Sequence, residues 1–235
     1  MKVYQHFTVT LTLLLVFLLS GCFPNNEDSP YEKHLLQGKT MGTTYNITLV
    51  ADKGMIDKAA LQAEIDQLLA DINQSMSTYI DDSELSRFNQ YRGQEAVNVS
   101  PELAFVVKEA IRLGKLTRGK LDVTAGKIIN LWGFGPDKRP DRVPSDEAIA
   151  QAKSQSGIDK LALNDNMMTK SVPELYVDLS TIAKGYGVDV IADFLESNGI
   201  TNYIVEVGGE MRLNGKKETG ELWAVAIEKP ISEAR

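Results

Sequence analysis

One cysteine in 235 residues, Cys22, leaves the chain without a partner for an intramolecular disulfide, so the folded part must be stable through its core alone. Histidine is nearly as scarce: His6 and His34 are the two present. His34 falls in a polar stretch near the start, which leaves the rest of the chain without a histidine for an acid–base step. Basic residues are outnumbered 25 to 32, for a formal charge of −7, and that balance removes the electrostatic case for nucleic acid. The N-terminal apolar run Val9–Leu19 is about a dozen residues, short of the ~20 that span a bilayer as a helix. Neither internal repeats nor low-complexity tracts occur.

What is present begins with a targeting segment. Lys2 supplies a charge, Val9–Leu19 the apolar run, and Leu18-Leu19-Ser20-Gly21-Cys22 a small-residue cleavage site with the pattern of a bacterial lipobox. Residues 1–21 are therefore expected to be removed and Cys22 lipidated, which explains a lone thiol in an exported protein. Removing the leader takes Lys2 from the basic residues, leaving 24 against 32 acidic ones and a charge of −8. Residues 22–34, with Pro24 and Pro30, read as a polar tether, and 35–235 as one large domain or two intimately joined lobes. These features predict a lipid-anchored protein facing the periplasm, with the inner membrane favoured.

Within the domain, Tyr45, Ile47 and Leu49 alternate with polar residues as in a half-buried strand. Leu61, Ile65, Leu68, Leu69, Ile72 and Met76 mark an amphipathic helix, and Ser100-Pro101 the capped start of another. Pro136–Pro144 reads as a surface loop, followed by a Ser145-capped helix ending near Gly157. Leu161–Thr169 reads as a hairpin, Leu175–Val177 as a strand, Tyr203–Val207 as a strand running into a Gly-Gly turn, and Leu222–Ile227 as the last strand. Strands and helices intersperse without a regular βαβ period, so the fold class is α+β, with mixed sheets and packed helices.

The most informative stretch is Val177–Asp189, Val-Asp-Leu-Ser-Thr-Ile-Ala-Lys-Gly-Tyr-Gly-Val-Asp. A carboxylate (Asp178), hydroxyl residues at a helix start and Lys184 in its first turn form a corner suited to a phosphate, because free N–H groups and the helix dipole favour an anion there. An ordinary N-cap has the same ingredients. The full motif closely resembles the signature of the FAD:protein FMN transferase (ApbE) family of flavin-transferring lipoproteins. Four further segments match in order: Gly38–Thr43; Met76–Tyr79 running on to Ser83–Asn89; Leu121–Gly126 with Leu131–Pro136; and Val207–Glu210.

The resemblance implies an ApbE-like fold and Mg²⁺-dependent transfer of FMN from FAD to a threonine or serine hydroxyl of an acceptor flavoprotein, with release of AMP. Acceptors of that kind are flavin-carrying subunits of membrane redox complexes such as sodium-pumping quinone reductases. Carried over residue by residue, it assigns FAD contacts to Met41, Tyr79, Lys120, Leu121, Asp122, Asp178 and Lys184, and one Mg²⁺ oxygen ligand to Thr181. Trp132 and Phe134 are expected to be structural. A FAD pyrophosphatase and a non-catalytic flavin-binding lipoprotein are the alternatives. Family members continue with a further third that carries a histidine and the rest of the Mg²⁺ site, so the chain is expected to be a fragment of such a protein.

Overall fold

The computed structural model describes residues 29–136 and 143–227. Two long strands open it, β1 (Tyr31–Thr40) and β2 (Thr43–Asp52), paired antiparallel from Tyr31↔Asp52 to Thr40↔Thr43. Met41 and Gly42 make the two-residue turn between them, both at positive φ (48° and 72°), the conformation that matches the right-handed twist of a hairpin. β2 also pairs antiparallel with β6 (Asn202–Val207), and β6 with β7 (Glu210–Asn214), giving a sheet of order β1-β2-β6-β7. A smaller sheet has the order β3 (Val97–Asn98), β5 (Met167–Lys170), β4 (Leu161–Asn164).

Period-two alternation puts Tyr45, Ile47 and Leu49 of β2 beside Tyr203, Val205 and Val207 of β6 on one fully buried face. That face is covered by α1 (Lys58–Met76), through Leu61, Ile65 and Leu69, and by α6 (Ala183–Ser197), through Val188, Ile191 and Leu195. Each such side chain contributes about 1.5–3 kcal/mol by leaving water. A second core gathers Leu85 and Phe88 of α2 (Glu84–Gln90), Leu103, Val106 and Val107 of α3 (Pro101–Leu116), Met168, Leu175, Val177 and Leu179. α4 (Gly126–Leu131) and α5 (Asp146–Ser154) pack against each other. Helices α1 and α6 contribute to both cores: Ile72, Met76, Ala183, Tyr186 and Val190 face the second, and Leu61, Ile65, Leu69, Val188, Ile191 and Leu195 the first.

Helix starts follow the expected chemistry. Asp57 caps α1 through the N–H groups of Ala59 and Ala60, and Ser100, with Pro101 at the first helical position, caps α3. Ser83, fully buried, accepts from Ser86 N–H (2.9 Å) and donates to the Ser77 carbonyl (2.6 Å). Ser83→Ala is expected to lower stability by about 1 kcal/mol, measured as a reduced urea midpoint at unchanged slope.

Four expectations are corrected. β1 starts at Tyr31, inside the stretch read as tether, with His34 buried on its inner face. Its outer face carries Lys33, Gln37 and Lys39, a polar dressing common on edge strands, and its inner face adds the polar Glu32, His34 and Thr40, so the alternation is hidden. Leu175–Val177 joins no strand ladder; Tyr176 makes a single parallel bridge with Ala125. Leu222–Ile227 is likewise no strand, with one bridge from Leu222 to Lys216. The Ser145-capped helix ends at Ser154, short of Gly157. Cys22, the leader and residues 137–142 of the Pro136–Pro144 loop lie outside the described residues.

Candidate functional site

A cavity of about 650 Å³ opens where the β1–β2 turn, the C-terminal end of α1 and the start of α6 meet. Met41 and Gly42 line it from the turn, Ile72, Asn73 and Met76 from α1, Ser77–Ile80 from the segment that follows, and Ser180, Ala183 and Lys184 from the signature. Its floor is apolar and its rim carries hydroxyls, an amide and one ammonium group. That combination suits a ligand with a flat ring at one end and an anion at the other.

Each wall is held by identifiable bonds. Asn73 Nδ2 donates to Thr40 Oγ1 (2.9 Å) and to the Leu69 carbonyl (2.8 Å), tying α1 to the hairpin turn. Met41 occupies a left-handed position that disfavours a long side chain by about 1–2 kcal/mol. Gly187 makes room for it: a Cβ there would stand 3.1 Å from the Met41 Cε. Met41→Asn should relax the backbone while losing contacts to both cores, leaving stability within about 1 kcal/mol of wild type. A several-fold loss of FAD affinity in the same variant, followed by calorimetry, is expected if the side chain serves the ligand.

Tyr79 is 64% exposed, and its hydroxyl donates to the Phe134 carbonyl at 3.3 Å. Trp132 and Phe134 are themselves 45% and 78% exposed, and neither lines the cavity. Asp178 is buried. It accepts from the Ser180 N–H (2.9 Å) and the Ser180 hydroxyl, a local turn rather than a helix cap, since α6 begins only at Ala183. Lys184, half-buried in the first turn of α6, donates from Nζ to the Gly208 carbonyl (3.2 Å) and pairs with Glu210 Oε1 (3.1 Å). Gly208 lies at φ +54°, and a Cβ there would meet Thr43 Cγ2 at 2.7 Å and Lys184 Cδ at 3.1 Å. The Gly-Gly turn therefore both closes the β6–β7 hairpin and admits the lysine.

The structure thus brings Met41, Tyr79 and Lys184 into one cavity, with Asp178 beside its Ser180 edge. Lys120, Leu121 and Asp122 do not line it. Lys120 is exposed, Leu121 N–H donates to Thr117 Oγ1, and Asp122 accepts from the N–H and hydroxyl of Thr124. They connect to the signature one residue on, where the Val123 carbonyl accepts the Asp178 N–H at 2.7 Å. Thr181 is exposed. Among the described residues no three His, Cys, Asp or Glu side chains are grouped to hold a metal ion. Asn73, Ser77, Ser180 and Glu210 were not singled out from the sequence, although the last three fall within the segments that carry the resemblance.

Fold and site define a class: an α+β ligand-binding domain whose cleft pairs an exposed aromatic ring with a lysine at a helix start. Residues 41–235 match the ApbE family, and the chain belongs to it. It is 53% identical over 231 residues to a FAD:protein FMN transferase of Vibrio cholerae, covering 98% of this chain and 67% of that protein. It is 49% identical to one of Haemophilus influenzae, covering 84% and 59%. Among solved structures, flavin transferase ApbE from Vibrio cholerae superposes with a TM-score of 0.83 at 56% identity, over 86% of this chain and 65% of that one. The apo flavinyl transferase ApbE of Pseudomonas stutzeri gives 0.79 at 33%, over 83% and 65%. The chain therefore spans roughly three-fifths to two-thirds of the length of these proteins.

Proposed function

We propose that this chain supplies the FAD-binding part of a FAD:protein FMN transferase. The observation that carries the proposal is the meeting of Met41, Tyr79 and Lys184, from three distant segments, around one cavity beside the Asp178 turn. In the reaction a threonine or serine oxygen of the acceptor forms a bond to the FMN-side phosphorus. The P–O bond to AMP breaks, AMP leaves with the bridging oxygen, and the hydroxyl proton passes to a base. His34 is buried on β1 and does not line the cavity, so that base is not assigned to it.

The residues on hand do the binding. The Tyr79 ring offers a face for a heteroaromatic ring, an arrangement worth about 0.5–1.5 kcal/mol beyond area burial. Lys184 and the start of α6 face the phosphates, where a cation and free N–H groups favour negative charge. Mg²⁺ belongs to the proposal as an ion carried chiefly by the substrate's phosphates, with Thr181 the one oxygen this part of the chain contributes. The acceptors proposed are flavin-carrying subunits of membrane redox complexes.

Incubating the complete protein with FAD, Mg²⁺ and an acceptor domain tests the proposal. Flavin fixed covalently to the acceptor, with one AMP per flavin, is expected. AMP with free FMN and an unmodified acceptor would make the protein a pyrophosphatase, and bound FAD without turnover would make it a carrier.

Lipid anchoring through Cys22 is part of the same proposal. None of the described helices is long and apolar enough to cross a membrane. Cys22→Ser is expected to move the protein from the membrane to the soluble fraction, since several acyl chains (palmitate among them) hold stably where one binds marginally. Retention of the variant on membranes would replace the lipid with an uncleaved leader as the anchor.

A further inference from the structure

We propose that Asn89, at the C-terminal end of α2, is a positioning residue for FAD binding, acting through Val177 on the Asp178 turn; this rests on the FAD reading above. Asn89 is 3% exposed. Its Nδ2 donates to the Val177 carbonyl at 2.8 Å, and its Oδ1 accepts the Val177 N–H at 2.8 Å. The amide thus replaces a neighbouring strand. Val177 reads as a strand residue yet joins no ladder because a side chain, not a backbone, satisfies both of its polar groups. On the next residue the Asp178 N–H is taken by the Val123 carbonyl. The segment entering the signature is therefore fixed from two directions.

Asn89 is itself anchored. Lys170, 4% exposed, donates from Nζ to the carbonyls of Phe88 (3.0 Å), Asn89 (3.2 Å) and Leu175 (3.4 Å). A cation over the last carbonyls of a helix is favourably placed, and here it also ties that helix end to Leu175. The other end of α2 holds the opposite wall of the cavity. The hydroxyls of Ser83 and Ser86 donate to the Ser77 carbonyl at 2.6 and 3.3 Å, two residues before Tyr79. One short helix therefore spaces the Tyr79 wall from the Ser180 edge. A leucine at 89 would fill the volume but leave the Val177 N–H and C=O buried without partners, so an amide is the side chain that serves.

The test uses the complete protein, FAD as the probe, and calorimetry well below each variant's melting temperature. Asn89→Ala is expected to weaken FAD binding about tenfold. Combined with Asp178→Ala it should add little, because both act on the same turn. Combined with Lys184→Ala, held separately by Gly208 and Glu210, it should contribute its full factor. A purely structural role would lower the melting temperature and leave the affinity of the folded variant unchanged. Asn89→Asp keeps an acceptor for the Val177 N–H, loses the donor to its carbonyl, and stands near the Lys170 ammonium; it gives the reading if the alanine variant does not fold, with a several-fold loss expected. Wild-type affinity in whichever variant folds, or full additivity with Asp178→Ala, overturns the proposal. Failure of the unsubstituted protein to bind FAD would show first, and would remove the FAD reading together with this one.

Discussion

Lys184→Ala is expected to weaken FAD binding by about ten- to a hundredfold while the melting temperature moves little. The Nζ atom stands at the start of α6, on the cavity rim, with one carbonyl and one carboxylate as its partners in the ligand-free protein. Losing a charge-assisted hydrogen bond to phosphate costs about 1.5–3 kcal/mol, which is the stated factor in affinity. The fold loses far less: an ion pair with an exposed partner such as Glu210 contributes about 0–1 kcal/mol. Glu210→Gln separates the two roles. If the lysine serves the phosphates, releasing it from Glu210 should leave affinity unchanged or raise it. If Lys184 matters only as the partner of Glu210, both substitutions should weaken binding alike.

Asp178→Asn asks a related question about the opposite sign of charge. An asparagine oxygen can still accept from the Ser180 N–H and hydroxyl, so the local turn should survive. Any loss of affinity then reports the carboxylate itself. Wild-type FAD affinity in both Lys184→Ala and Asp178→Asn, by calorimetry with thermal melts alongside, would refute the site and leave the signature as structure.

Much of this arrangement is legible in the sequence because two periodicities write it there. The α1 face of Leu61, Ile65, Leu69, Ile72 and Met76, and the alternation Tyr45, Ile47, Leu49, each bury as spaced. The Ser100-Pro101 start and the Asn-Asp-Asn hairpin follow from local backbone chemistry. Illegible elements are those whose partners are distant or unusual. β1 hides because its buried positions include the polar His34 and Thr40 while Leu35 faces outward, and Val177 because an amide 88 positions away stands in for a strand. The site is a harder case. No spacing rule joins Met41, Tyr79 and Lys184; their grouping was anticipated through family resemblance and is produced by the β1–β2 turn abutting α1 and α6. The same resemblance groups Lys120–Asp122 with them; that segment does not line the cavity and meets the signature through the Val123 carbonyl and the neighbouring Ala125–Tyr176 bridge.

Stability between pH 8 and 10 should rise in the unsubstituted protein and stay flatter in Lys170→Met. Burial, helped by the charges of Arg92 and Lys127 and opposed by Glu174, brings the Lys170 ammonium down to about 8 from its ordinary 10.5. Between those values the unfolded chain holds a proton that the folded chain has released. The gain is therefore complete above 10.5 and lost as pH falls through 8, reaching about 3 kcal/mol at most by linkage. Tyrosines work in the opposite direction. Burial and the Glu196 hydrogen bond push Tyr203 up to about 12, and burial with the Asp66 hydrogen bond raises Tyr45 as well. Their protons stay on in the folded state, so stability falls once pH climbs past the ordinary tyrosine value near 10. The wild-type profile should accordingly crest near pH 10. Lys170→Met also leaves the carbonyls of Phe88, Asn89 and Leu175 without their donor, which shifts its whole curve by an amount that varies little with pH. The informative quantity is thus the slope and not the offset, read from urea midpoints at half-unit steps. Parallel curves for the two proteins from pH 8 to 10 would mean that Lys170 titrates alike folded and unfolded, and that its burial among three carbonyls places no penalty on the charge.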